Sequence, residues 1–136
     1  MPNRATLQPP ADAPCPCGDG AYGACCGPAI DGGAAPATAV ALMRSRYTAF
    51  ALSDIDYLLR SWDASTRPSE LTLDAGTEWR RLIVIDVVGG APEDETGIVE
   101  FRAVFRDADG RGELHERSRF VRRDDGWRYL DGEHRD

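Results

Sequence analysis

Several features that would assign a function directly are missing from this chain of 136 residues. No apolar run is long enough to cross a bilayer, so we expect no membrane-spanning helix. Neither a glycine-rich phosphate loop, a nucleophile elbow nor an HExxH pattern is present. The net charge of −7 opposes contact with phosphate backbones, so we expect no nucleic-acid partner. Nothing at the N-terminus resembles a secretory signal, which favours a cytoplasmic protein.

Cysteine is missing from most of the chain, because all four copies lie within twelve residues. The glycines between them permit tight turns, and four thiolates in one compact loop suit a tetrahedral zinc ion. We therefore interpret Cys15, Cys17, Cys25 and Cys26 as the ligands of one closed, structural zinc centre. Two disulfides are one alternative, although the adjacent Cys25 and Cys26 cannot easily join each other. An iron–sulfur cluster and free thiols are the others.

The composition predicts one globular domain with a short metal-bearing appendage, since 42% of the residues are hydrophobic and 29% are charged. Residues 1–14 hold four prolines and predict a flexible lead-in. Residues 15–28 are the predicted zinc knuckle. The main domain is predicted over residues 35–134, and we expect it to fold without the knuckle because the cysteines lie outside its core.

Helical periodicity begins after the loop that follows the knuckle. Thr38 is the predicted N-cap of a first helix that ends near Leu52. Its core face comprises Val40, Met43, Tyr47 and Phe50. A second helix is predicted behind Ser53 as N-cap, and one further helical turn is predicted over residues 69–73.

From Trp79 onward the hydrophobic period changes to two, which is typical of strands. Four strands are predicted over residues 79–88, 98–106, 113–122 and 127–130, with hairpin turns between the later ones. Helices followed by an antiparallel meander indicate an α+β fold in which the helices cover one face of the sheet.

The third strand places polar groups on the face that we expect to be covered. Alternation turns Leu114, Glu116, Ser118 and Phe120 towards the helices. A buried carboxylate needs a partner, and the predicted partner of Glu116 is Arg46, at the edge of the apolar stripe on the first helix.

Catalytic candidates cluster around this face. They are Glu116, Arg46, Ser118 and Tyr47. We favour an ion pair between Arg46 and Glu116 that fixes the packing over a catalytic acid. Of the two histidines, His115 is interpreted as a surface residue and His134 as part of a polar tail.

Two stretches of the chain resemble known motifs. The cysteine segment, CPCGDGAYGACCG, resembles the SEC-C zinc motif, and this resemblance implies the same four cysteine ligands. The spacing between Cys17 and Cys25 is one residue shorter than in the usual motif. Six further segments are similar, in this order along the chain, to the YchJ family of uncharacterised bacterial proteins. They are LMRSRYTAF, DYLL, SWDAST, TEW, HERSRFV and WRYLDG.

The YchJ resemblance covers nearly the whole chain. It implies a nuclear-transport-factor-like (cystatin-like) cone, in which helices pack on a curved antiparallel sheet around a pocket. It implies no known reaction. Asp63 and Ala64 stand where many members of the family have His-Pro.

Two classes of function follow from these observations. The one we favour is a zinc-binding adaptor or small-ligand-binding module, whose knuckle contacts a protein partner or whose cone holds a small molecule. The alternative is an enzyme of the nuclear-transport-factor-like class, a lyase, isomerase or hydrolase that uses Glu116. A deep pocket reaching Glu116 favours the enzyme, whereas a filled cone with Glu116 sealed against Arg46 favours the module.

Overall fold

A computed structural model of the chain describes residues 9–32 and 34–135, so most of the predicted lead-in lies outside the described residues. A short 3₁₀ turn, Tyr22–Ala24, precedes seven helices and strands. These are α1 (Gly27–Ile30), α2 (Ala39–Ala51), α3 (Ile55–Arg60), β1 (Glu78–Gly89), β2 (Thr96–Asp107), β3 (Gly110–Arg123) and β4 (Gly126–His134). The predicted α+β class is confirmed. Of the helices in the described ranges, none has the length and apolar character that a bilayer crossing needs.

Helices α2 and α3 each begin at a side chain that caps them. The Thr38 hydroxyl accepts a hydrogen bond from the Ala41 N–H at 3.1 Å, as predicted for the start of α2. Helix α3 is capped by Asp54, whose carboxylate accepts from the Tyr57 N–H at 3.0 Å. The prediction of Ser53 as the cap is wrong, because that residue takes a left-handed conformation with φ of 57° and ends the preceding turn.

The segment between α3 and β1 is irregular, so the helical turn predicted over residues 69–73 is wrong. Leu71 and Leu73 both pack against the core while the residues beside them are exposed. An extended backbone turns alternate residues to the same side, and a helical turn would not.

The four strands form one antiparallel meander in the order β1-β2-β3-β4. Register shifts interrupt the pairing of β1 with β2 and of β3 with β4, and such irregularities bend a sheet. Strand β4 continues four residues beyond its predicted end at Leu130, so His134 lies in a strand and the prediction of a polar tail there is wrong. Trp62, just after α3, pairs with Tyr129 of β4 and ties the helical layer to the sheet.

The cysteine segment packs into the main core, which contradicts our expectation that the cysteines lie outside it. Cys15, Cys17 and Cys26 are each 3% exposed and share one hydrophobic cluster with residues of α2 and the sheet. The Cys15 sulfur contacts the Thr48 hydroxyl of α2 at 3.6 Å. The Arg44 guanidinium, also on α2, donates to the Cys17 carbonyl at 3.4 Å. The knuckle and the main domain therefore bury apolar surface against each other. The domain boundaries given from the sequence, residues 15–28 and 35–134, stay predictions.

Helix α2 is positioned at its first residue by a close backbone contact with the hairpin between β1 and β2. The Ala39 N–H donates to the Gly90 carbonyl at 3.0 Å. Gly90 has a φ of 79°, which favours glycine. A Cβ placed on Gly97 would lie 2.7 Å from the Gly90 Cα and 2.9 Å from the Ala39 Cβ. No side chain fits between these backbones.

We predict that Gly97→Ala lowers the free energy of unfolding by about 1–3 kcal/mol, because the added methyl group overpacks this contact. Urea unfolding followed by circular dichroism measures the change. Gly76→Ala is the matched control, since a Cβ there meets only the Asp74 carboxylate at 3.3 Å. The control should be as stable as the parent or slightly more stable. Equal stability of both variants would contradict the proposed positioning of α2.

Candidate functional site

The cysteine segment turns sharply where glycines take backbone angles that other residues avoid. Gly18 and Gly20 have φ of 84° and 133°. The Cys15 N–H donates to the Gly20 carbonyl at 2.7 Å, and the Gly18 N–H donates to the Cys15 carbonyl at 2.9 Å. This turn brings Cys15 and Cys17 together, and the other two cysteines meet them from the residues just before α1.

The four sulfurs converge as metal ligands would. All four Sγ atoms lie within 4.8 Å of one another. Two of the separations are 3.4 Å, between Cys17 and Cys25, and 3.9 Å, between Cys25 and Cys26. A tetrahedral zinc ion with Zn–S bonds of about 2.3 Å places its sulfurs about 3.8 Å apart, so this donor set fits such an ion. The shortened spacing after Cys17 does not prevent convergence.

None of the four cysteines, all within the described residues, forms a disulfide, and their surroundings shift the pKa values of the thiols in different directions. Hydrogen bonds from Cys17 and Cys26 stabilise the Cys15 thiolate and lower its pKa. The hydrogen bond with Cys15 keeps the proton on Cys26 and raises the pKa of that thiol. Burial raises the pKa of Cys25 to about 12. Four adjacent thiolates repel one another, so a divalent cation is what allows all four to ionise together.

A cavity of about 320 Å³ lies between α2 and the concave face of the sheet. Two clusters of aromatic rings contribute to its wall. In the first, Trp79 contacts Tyr47 and Phe50 with ring centroids 6.1 and 6.0 Å apart. In the second, Tyr129 contacts Trp62 at 5.1 Å and Phe120 at 5.8 Å. The wall is therefore largely apolar, which is typical of a small-molecule site.

Arg46 enters this cavity from α2 and is 6% exposed. Its Nη1 donates to the Leu58 carbonyl and to the Ser61 hydroxyl, each at 2.7 Å. The guanidinium carbon lies 4.5 Å from the Tyr129 ring centroid and 5.2 Å from that of Trp62. Burial lowers the pKa of Arg46 to about 10, so the side chain remains a cation at neutral pH.

The predicted ion pair between Arg46 and Glu116 does not form among the described residues. The Glu116 carboxylate instead accepts hydrogen bonds from the Ser118 hydroxyl and, at 3.3 Å, from the Tyr129 hydroxyl. The Tyr129 side chain therefore contacts the arginine with its ring and the carboxylate with its hydroxyl. Any side chain at Gly132 would overlap the Glu116 carboxylate, so this glycine makes room for it.

All four catalytic candidates from the sequence line this same cavity. They are Glu116, Arg46, Ser118 and Tyr47. Burial raises the pKa of Tyr47 to about 12, so its hydroxyl stays protonated at neutral pH. Tyr129 and His134 also line the cavity, and sequence reasoning named neither as a site residue. His134 was missed because the last strand was predicted to end at Leu130, whereas Tyr129 lies within the predicted strand and was not assigned to the covered face. Alternation with the buried Trp127 was the available signal for Tyr129.

His115 lies on the opposite face of β3 from the cavity, as predicted. Its ring nitrogen Nε2 is 2.7 Å from the Glu100 carboxylate, which also accepts from Arg117 at 2.9 Å. The side chain is only 14% exposed, so it is more enclosed than an ordinary surface residue. It belongs to a charged cluster on the outer face of the sheet.

Comparison with known proteins agrees with this architecture. Residues 38–132 match the family model described as YchJ, middle NTF2-like domain. The chain belongs to the YchJ family. The UPF0225 protein SCO1677 of Streptomyces coelicolor is 51% identical over 121 residues, covering 88% of this chain and 94% of that protein. A UPF0225 protein of Cupriavidus metallidurans is 46% identical over 131 residues, covering 91% of each chain.

Two solved structures share the fold. The solution structure of RPA3114 from Rhodopseudomonas palustris is 32% identical with a TM-score of 0.78, and the match covers 91% of this chain and all of that one. A crystal structure from Psychrobacter arcticus is 30% identical with a TM-score of 0.68, covering 82% of this chain and 71% of that one. Both are described as SEC-C motif containing proteins. The nuclear-transport-factor-like fold expected from the YchJ resemblance is confirmed.

Asp63, at the position where many YchJ members have histidine, is a buried clamp in this chain. Its carboxylate receives two hydrogen bonds from Arg123, at 2.8 and 3.0 Å, and two more from Ser65. Its backbone N–H donates to the Tyr129 carbonyl at 2.7 Å. The Arg123 guanidinium, followed by Ser65, lowers the pKa of the Asp63 carboxyl well below its usual range.

We predict that Asp63→Asn is less stable than the parent near neutral pH and that this difference shrinks in acid. Because the folded pKa lies below the unfolded value of about 3.9, the ionised carboxylate stabilises the fold above that pH. This contribution is lost as pH falls from about 4 towards the depressed folded pKa. Urea unfolding of both proteins between pH 7 and pH 3 measures it.

Asp131→Asn is the matched control, because Asp131 accepts a similar pair of hydrogen bonds from Arg119 but is 44% exposed. Exposed ion pairs contribute little to stability, so the control should lie closer to the parent at every pH. The same loss for both variants would contradict the assignment of Asp63 as a buried clamp.

Proposed function

We propose that this YchJ protein is a small-ligand-binding module in which a structural zinc centre supports one wall of the ligand pocket. The observation that carries the proposal is the cavity of about 320 Å³, with aromatic walls and a polar end at Arg46 and Glu116. The cavity reaches Glu116, and no ion pair between Arg46 and Glu116 occurs among the described residues, so the cone has room for a small molecule. We expected an open cone to favour the enzyme, but it is also what a small-ligand-binding module needs. Convergent polar groups in an apolar pocket are typical of ligand sites.

The zinc ion would be held by Cys15, Cys17, Cys25 and Cys26. Four thiolates leave no open coordination position, so a metal there supplies structural stabilisation and no activated water. Thiolate ligands must stay reduced, which fits the cytoplasm that we propose as the location.

Helix α2 links this centre to the cavity. Thr48 touches the Cys15 sulfur, and Arg44 binds the Cys17 carbonyl. From the same helix, Arg46 and Tyr47 enter the cavity. Order in the cysteine loop therefore contributes to the placement of the pocket wall, so zinc should stabilise the whole domain.

We predict one zinc ion per chain, and we predict that a chelator lowers the midpoint of a single thermal unfolding transition. The reason is that Cys15, Cys17 and Cys26 are part of the shared core, so the loop and the domain lose stability together. Elemental analysis counts the zinc, and calorimetry measures the transition with and without chelator.

The double variant Cys15→Ser/Cys17→Ser serves as the control for the chelator. It should contain no zinc, and the chelator should not change its transition. Preparations without zinc would defeat the metal assignment. A domain transition unaffected by zinc removal would instead place the knuckle outside the cooperative unit, as we first expected from the sequence.

We predict that the protein binds one equivalent of the neutral probe N-phenyl-1-naphthylamine with a rise in probe fluorescence, because the probe leaves water for an aromatic cavity. Leu114→Trp should abolish this binding, since Leu114 lines the cavity and the larger ring fills it. The matched control is Glu113→Trp, because the neighbouring residue points to the other face of β3.

The control should bind the probe as the parent does, and thermal unfolding should show that both variants are folded. Equal binding by Leu114→Trp and the parent would place the probe outside the cavity. Absence of binding to the parent would remove the basis for a ligand-binding function.

An enzyme is the second candidate, because the pocket reaches a carboxylate, which was the feature expected to favour it. The Glu116 carboxylate at the polar end could take a proton from a bound molecule, as a general base does. Its hydrogen bonds from Ser118 and Tyr129 would hold it in place. Recovery of a bound ligand in unchanged form after long incubation would favour the binding module, whereas a chemically altered ligand would favour the enzyme.

A further inference from the structure

Arg46 is a buried cation with unused hydrogen-bond donors. Only its Nη1 has partners within the described residues, the Leu58 carbonyl and the Ser61 hydroxyl. Across residues 9–32 and 34–135, no carboxylate forms an ion pair with it. Nε and Nη2 have no partner among the described residues, yet neither atom is fully enclosed. A molecule in the cavity can therefore reach both.

Burying a guanidinium in this way costs folding free energy unless a nearby anion compensates the charge. The rings of Trp62 and Tyr129 offset part of the cost through cation–π contacts. Neither ring accepts the in-plane hydrogen bonds of Nε and Nη2. The free edge of the guanidinium is therefore an unsatisfied charged feature of the cavity, whose lining also includes the indole N–H of Trp62 without a partner among the described residues.

The same edge binds carboxylates elsewhere in this protein. Arg123 holds Asp63 through Nε and Nη2, and Arg119 holds Asp131 through the same pair of atoms. A side-on pair of parallel hydrogen bonds is a strong and specific mode of carboxylate recognition. Arg46 presents this edge with no carboxylate of the described chain against it.

Glu116, the other charged group of the cavity's polar end, is already satisfied by neutral donors. Ser118 and Tyr129 both donate to it. It has no need of a cationic ligand, and its negative charge repels an anion that approaches too closely. The anion of a ligand is thereby directed to the Arg46 edge and away from Glu116.

We propose that the cavity binds an aromatic carboxylate, with its carboxylate on Nε and Nη2 of Arg46 and its ring against Tyr47, Phe50 and Trp79. This inference rests on the proposed ligand-binding function and names the chemical class of the ligand. The volume of about 320 Å³ accommodates one fused two-ring system with a short acid side chain.

Three probes with the same ring separate charge from shape: indole-3-acetate, indole and tryptamine. Isothermal titration calorimetry on the zinc-loaded full chain at pH 7 compares their affinities. Indole-3-acetate should bind at least about tenfold more tightly than indole, because a bidentate charged hydrogen bond adds to the same ring contact. Tryptamine should bind more weakly than indole, since its ammonium would face Arg46.

Variants assign the preference to named side chains. Arg46→Met keeps the length and removes the charge, so it should bind indole-3-acetate and indole equally. Arg46→Lys keeps the charge without the planar edge and should lose several-fold in affinity for indole-3-acetate alone. Glu116→Gln removes the repelling anion, so it should bind indole-3-acetate more tightly and tryptamine more weakly than the parent does. This last variant tests the inference even if the Arg46 variants do not fold.

Equal binding of indole and indole-3-acetate by the parent, or a preference for tryptamine, would overturn the inference and leave the ligand-binding function standing. An acid preference that persists in a folded Arg46→Met variant would also overturn it. Failure of all three probes and of the neutral naphthylamine would overturn the ligand-binding function itself.

Discussion

Helix α2 has to pack on two sides at once, and the rest of the structure depends on this constraint. Thr48 contacts the cysteine cluster, and Arg46 enters the cavity two residues earlier. Consecutive turns of a helix repeat every 3.6 residues, so these two side chains leave the helix in different directions. A shift of α2 that loosened one contact would displace the other. This is why a short cysteine loop can affect a pocket to which its own sulfurs do not belong.

Local patterns in the sequence were sufficient for much of the fold. Thr38 could be identified as a cap because a capping hydroxyl accepts a hydrogen bond from a backbone N–H only three residues along the chain, here that of Ala41. The inward face of β3 followed from simple alternation, and both Glu116 and Ser118 do line the cavity. The four cysteines were grouped because they are close in the chain, and their sulfurs are close in space.

Contacts between distant segments were not accessible in this way. Arg46 and Glu116 were paired by charge alone, but Tyr129, from the last strand, supplies both a ring to the arginine and a hydroxyl to the carboxylate. Packing of the cysteines into the core was missed for a related reason. Composition identifies apolar residues, but it does not say which distant surface each of them covers. Leu71 and Leu73 show the same limit, since their burial requires an extended path across the core.

The pairing of Trp62 with Tyr129 has a consequence for how the domain forms. These residues are 67 positions apart in the printed sequence, and the chain between them includes the first three strands of the meander. Contacts of high sequence separation form late, because the loop between them must first be ordered. During synthesis the ribosome releases Tyr129 only after all three of those strands. The polar end of the cavity, including the aromatic contact of Arg46, is therefore complete only after the last strand has joined the sheet.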